Sequence, residues 1–143
     1  MVPTTDYSFW MTLPLSLSAA EKNVRDALQK EGFGIISEID IQAKLKEKLG
    51  VDHPPHKILG ACNPKLAYEA LKENPDVALA LPCNVVLRED DGEMHVSAMK
   101  PSVALEPFKG LKVHETACKA EEALERVFDD LCHFLPHHSH AHA

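Results

Sequence analysis

Lys57-Ile58-Leu59-Gly60-Ala61-Cys62-Asn63-Pro64 is the stretch that decides the fold. Its first part is a short apolar run of strand character. Asn63-Pro64 then turns the chain into a helix: asparagine is a good N-cap because its side-chain oxygen takes an orphan N–H, and proline suits the first helical position, where no N–H is needed. Ala67, Ala70 and Leu71 follow at helical spacing as the buried side of that helix, and Asn74-Pro75 closes it. A strand handing over to an amphipathic helix is the unit of a layered α/β fold.

Upstream, residues 7–13 alternate, with Phe9, Met11 and Leu13 on one face, which predicts a half-buried strand. Ser18-Ala19-Ala20-Glu21 has the form of a capping box. The helix it opens carries Ala20, Val24, Ala27 and Leu28, and Gly32 stops it. Residues 33–39 read as a second strand with Phe33, Ile35 and Ile39 on one face. Ile41, Leu45 and Leu49 mark one stripe of a second helix that Gly50 ends, and His53-Pro54-Pro55-His56 is an extended connection, because consecutive prolines exclude helix.

Downstream, residues 77–81 are continuously apolar, as expected of a central buried strand. Pro82 interrupts the chain before strands at residues 84–88 and 94–99. Asp90-Asp91-Gly92 is the hairpin loop between them, with glycine supplying the positive φ. Residues 102–114 carry no clear pattern. From Ala117 onward, Ala120, Leu124, Val127, Phe128 and Leu131 form an amphipathic stripe, ended by Pro136. The expected architecture is a two-layer α/β sandwich: a mixed, mostly antiparallel sheet with helices packed on one face. One domain spans residues 1–136, and residues 137–143 are expected to be a disordered histidine-rich tail.

Composition narrows the function. At 143 residues the chain suits a single domain that buries roughly two thirds of its unfolded surface. A net charge of −7, with Arg25, Arg88 and Arg126 as the only arginines, argues against nucleic acid. Lys44, Lys46 and Lys48 alternate with apolar Leu45 and Leu49 and read as the wet face of a helix. No apolar stretch approaches the roughly 18 residues of a membrane span. The segment Phe9-Trp10-Met11-Thr12-Leu13-Pro14-Leu15 has no basic residues before it, so it does not read as a secretion signal. Four widely spaced cysteines do not form a disulfide framework, and the expected location is the cytoplasm.

Three blocks carry a family resemblance: Gly32-Phe33-Gly34 through Glu38-Ile39-Asp40, then Ile58-Leu59-Gly60-Ala61-Cys62-Asn63-Pro64, then Leu81-Pro82-Cys83-Asn84-Val85-Val86, with the Asp91-Gly92 turn behind them. The chain resembles the domain of unknown function 302 family over roughly residues 8–105. The resemblance implies a small α/β fold and a homodimer, and no assigned activity. Lys100-Pro101 stands where the family tends to place an acidic residue before the proline.

Six residues are candidates for a ligand site: Cys62, Asn63, Cys83, Asn84, Glu38 and Asp40. Cys62 precedes a helix N-terminus, whose dipole and free N–H groups favour a thiolate, and Gly60 and Ala61 remove bulk beside it. The plainer alternative is a small buried hydrophobe beside helix punctuation. Cys83-Asn84 repeats the pair, and the two loops share one end of the sheet if their strands are neighbours. Glu38 and Asp40 point to the same side of a strand, as an acid–base pair, a cation site or solvated edge carboxylates. His53 and His56 lack an evident third metal ligand, and Cys118 and Cys132 read as incidental. In the tail, His137, His138, His140 and His142 put imidazoles on a flexible chain and should bind Ni²⁺, Cu²⁺ or Zn²⁺ by local concentration.

No phosphate loop, dinucleotide fingerprint, serine elbow or zinc-protease motif is present. The leading expectation is a homodimer, motivated by the resemblance and by Trp10 on the outer face of the first strand, that binds a small molecule near the two Cys-Asn sites. The alternatives are a metal-handling protein using the tail and a thiol enzyme with Cys62 as nucleophile. No cofactor is indicated.

Overall fold

The computed structural model describes residues 2–134. Its strands are β1 (Ser8–Leu13), β2 (Gly34–Asp40), β3 (His56–Cys62), β4 (Cys83–Asp90) and β5 (Glu93–Met99). Its helices are α1 (Leu17–Lys30), α2 (Ile41–Leu49), α3 (Pro64–Glu73), the short α4 (Pro101–Ala104) and the long α5 (Leu111–Leu131). The strands form one sheet in the order β1-β5-β4-β3-β2, antiparallel at every pairing. The expected α/β sandwich is what the chain forms, with five strands rather than six. Residues 77–81 are not a central strand: Pro75–Ala80 is a 3₁₀ turn, and Val77 is buried against α3 and α5 instead. A short apolar run is compatible with either conformation, and here the Asn74 side chain, accepting from Asp76 N, starts a turn.

Alternation along the strands sorts their side chains to two faces. Phe9, Met11 and Leu13 of β1, Leu59 and Ala61 of β3, Val85 and Leu87 of β4, and Met94, Val96 and Ala98 of β5 are buried against α1 and α5. A second cluster of Ala70, Val77, Leu105, Val113 and Ala117 joins α3 to α5. The unpatterned residues 102–114 contain the end of α4 and the start of α5, which begins well before Ala117. The carboxylate of Glu73 caps that start, accepting from Val113 N at 2.8 Å, while Asn74 Nδ2 donates to Lys109 O.

Two local expectations are corrected. The N-cap of α1 is Ser16, which accepts from Ala19 N, and not Ser18; Glu21 is engaged by Arg25 and Lys57 instead of reaching back to the helix end. Phe33, Ile35 and Ile39 do not share a face. Ile36 is an extra residue between Ile35, opposite Ala61, and Ser37, opposite Gly60. That bulge turns Ile39 to the uncovered face, where it is 44% exposed. Elsewhere the expected punctuation holds: Asn63 caps α3, Gly50 closes α2 with φ of 68°, and Asp91-Gly92 make the β4–β5 turn with positive φ.

Candidate functional site

Cys62 ends β3 and Cys83 begins β4, and the register sets Cys83 opposite Ala61. The two Cys-Asn loops therefore do share one end of the sheet, and both thiols line the same narrow cavity with Phe33, Leu66, Ala117 and Ala120. The cavity measures about 40 Å³. That is room for a few waters, far below the roughly 300 Å³ at which small-molecule pockets begin. Thr116 on its wall already donates to Val113 O, and no buried side-chain polar atom among the described residues lacks a partner.

The electrostatics of Cys62 run opposite to the expectation from its position. Burial pushes its thiol up, and Cys83 is pushed up to about 11 by burial and then by Cys62 beside it. The N-terminus of α3 has little to offer a thiolate: Pro64 has no N–H, and Leu66 N is taken by Asn63 Oδ1. Gly60 opens no path either, since Ser37 and Pro82 fill the space its missing side chain leaves.

The other candidates separate. Asn63 is committed to its cap. Asp40 accepts from Ala43 N and caps α2. Glu38 and Asp40 do lie on one side of β2, the helix-covered side, opposite Leu59 and Lys57. Lys57 Nζ donates to Glu21 Oε1 at 2.9 Å and to Glu38 Oε1 at 2.8 Å, and Arg25 adds bonds to both glutamates. Lys57 holds the Glu38 carboxyl below its ordinary value, and Glu21 and Glu38 raise Lys57 in turn. This network ties α1, β2 and β3 together. Asn84 alone of the six lies exposed on the uncovered face. His53 Nε2 and His56 Nδ1 lie 3.0 Å apart in a stacked pair, and no group of three or more potential metal ligands occurs among the described residues. His137, His138, His140 and His142 lie outside the described residues.

The uncovered face holds what sequence reasoning missed. One row crosses all five strands: Trp10, Ser97, Val86, Ile58, Ile39. Beside it runs Thr12, His95, Arg88, His56. Trp10 stacks on His95 with centroids 5.4 Å apart and planes 19° from parallel. A groove of about 570 Å³ lies between them and Asn84, Arg88, Ser97 and Met99. A second groove of about 330 Å³, walled by Leu79, Leu81, Pro82, Cys83 and Pro101, shares Asn84 and Met99 with it. The signal was available: once the two-residue turn fixes the β4–β5 register, Arg88 must face His95 on the side away from Leu87 and Val96.

The family model described as "Domain of unknown function DUF302" matches residues 9–131. The chain belongs to the DUF302 family. The match runs through α5, beyond the residues where the sequence blocks ended. A crystal structure of an uncharacterized conserved DUF302 protein from Bacillus stearothermophilus is similar, with a TM-score of 0.80 and 27% identity over 88% of this chain and 98% of that one. No curated protein matches. Within this DUF302 fold Lys100 donates to Thr5 O at 2.9 Å and lies 5.5 Å over the Phe9 ring, tying down the N-terminal segment. No helix among the described residues is long and apolar enough to cross a membrane.

Proposed function

We propose that this DUF302 protein is a homodimeric binding domain in which two copies meet through their uncovered sheet faces and a small molecule is held in the groove beside Asn84. The observation that carries the reading is the face itself. Every helix that packs on the sheet's main core lies on the other side, yet Trp10, Val86 and Ile58 form a half-buried apolar row here, flanked by exposed Ile39 and Met99. An uncovered apolar row of this extent, interrupted by Ser97, marks an interaction site. Five strands about 4.8 Å apart and six residues long span roughly 500 Å², so a pair of faces buries about 1,000 Å², the lower bound for a specific interface. The groove is a depression in that face and becomes a chamber under the second copy. Its volume falls within the range of small-molecule pockets, unlike that of the cavity beside Cys62 and Cys83.

Raised thiol pKa values weigh against Cys62 as a nucleophile, because the thiolate is the reactive form. Light scattering on untagged protein at micromolar concentration tests the assembly: twice the 15.8 kDa chain mass supports it, and the single-chain mass contradicts it.

A further inference from the structure

The uncovered-face groove has the chemistry of a specific ligand class. Among the described residues no Asp or Glu lines it, although the chain carries 22 acidic residues and a net charge of −7. Its one full charge is Arg88, set opposite His95 on β5 and His56 on β3. Arg88 has only a loose partner: its Nη1 lies 3.8 Å from Asp90 Oδ2, with both side chains well exposed. Exposed pairs of that kind contribute little, so a better-placed acceptor displaces Asp90 at small cost. A planar guanidinium offers two parallel donors to a carboxylate. Along the neighbouring wall, Trp10 and His95 stack on each other and supply aromatic surface at the outside of the stack, and Val86 and Met99 add apolar contact. Asn84 and Ser97 supply neutral hydrogen-bonding groups. The aromatic stack and a weakly paired cation lie within one opening of about 570 Å³.

We propose that the groove binds a planar aromatic carboxylate, its ring against Trp10 and His95 and its carboxylate on Arg88. This deepens the binding reading above and rests on the uncovered face being the binding face, though not on the dimer.

Trp10 is the only tryptophan, so its indole Nε1–H is a single NMR reporter inside the groove. The probes are 2-naphthoate and its neutral counterpart 2-naphthamide, titrated into the full chain. The expected result is a saturable Trp10 shift with naphthoate binding about tenfold or more tighter than naphthamide, the size of one charge-assisted hydrogen bond. Arg88→Gln should reduce that preference to about twofold while the rest of the amide spectrum stays native. Equal binding of the two probes by the wild type, no saturable shift with either, or an unchanged preference in Arg88→Gln overturns the assignment. Light scattering on the same samples separates this from the assembly. A dimer without naphthoate preference overturns the ligand class alone, whereas naphthoate preference in a single-chain species supports the ligand class and overturns the dimer.

Discussion

A methyl group added at Gly60 would place a Cβ against Ser37 Oγ and 2.7 Å from Pro82 Cγ. Gly60 lies in β3, between β2 and β4, so the backbone has little freedom to move away. Gly60→Ala should lower unfolding stability by about 2 kcal/mol, the usual scale of overpacking, measured by urea denaturation. Stability equal to wild type would show that the loop at Pro82 yields freely. The thiols belong to the same scale. Burial raises Cys62, Cys83 and Cys132, while Cys118 is exposed on α5. Iodoacetamide at pH 7.5, followed by peptide mapping, should therefore modify Cys118 first, with Cys83 the slowest. A fast phase at Cys62 would restore the nucleophile reading. Position beside a helix start suggested activation from sequence, although Asn63 and Pro64, legible as cap and first helical residue, already leave that helix end few free donors; what could not be read there was that burial desolvates the sulfur.

The elements were legible where periodicity and punctuation agreed. β1, α1, α3, the β4–β5 hairpin and the stripe of α5 all combine regular apolar spacing with a cap or turn residue. Beside the turn at Pro75–Ala80 and the shifted cap of α1, two further places failed for a physical reason. The β2 bulge adds one residue and reverses the face of everything beyond it, which period-two reading cannot see. The start of α5 is capped in space by Glu73, forty positions away, and not by a local Ser or Asp. Glu73→Ala should accordingly cost about 1 kcal/mol of stability and Glu73→Gln less, since the amide oxygen can still accept from Val113 N. Equal stability of all three proteins would show that the cap contributes nothing.

The histidine row across β5, β4 and β3 gives a pH dependence at this same scale. His56 and His95 are held below the ordinary 6.5, first by burial, then in His56 by His53 and Arg88, and in His95 by Arg88, with Asp90 partly offsetting. Both are therefore neutral in the fold at a pH where the unfolded chain already binds protons. Stability should be full above pH 6.5 and fall as pH drops through that value toward the depressed pKa values. Chemical denaturation at pH 7.5 and 5.5 checks it: the wild type should lose stability at pH 5.5, and a His56→Gln, His95→Gln double variant should lose less. A wild type equally stable at both values contradicts the sign.

At the scale of the whole molecule, one side of the sheet is covered by α1 and α5 and the other is bare. Sequence alternation showed which residues leave the core; it did not show that no helix among the described residues returns to cover them, because that depends on where every connection runs. The bare face unites the homodimer and the ligand groove in one account, so its exposure in solution is the claim to test. Sedimentation velocity of the wild type beside an Ile58→Lys variant does this most directly, because Ile58 lies on β3 in the apolar row of that face, next to the groove but not among its lining residues, and outside the core. A lysine there would bury an unpaired cation from each copy in a two-fold interface. The wild type should sediment as a dimer from low to high micromolar concentration, and the variant as a folded monomer with native circular dichroism. A wild type that is monomeric throughout, or a variant that remains a dimer, would contradict the account.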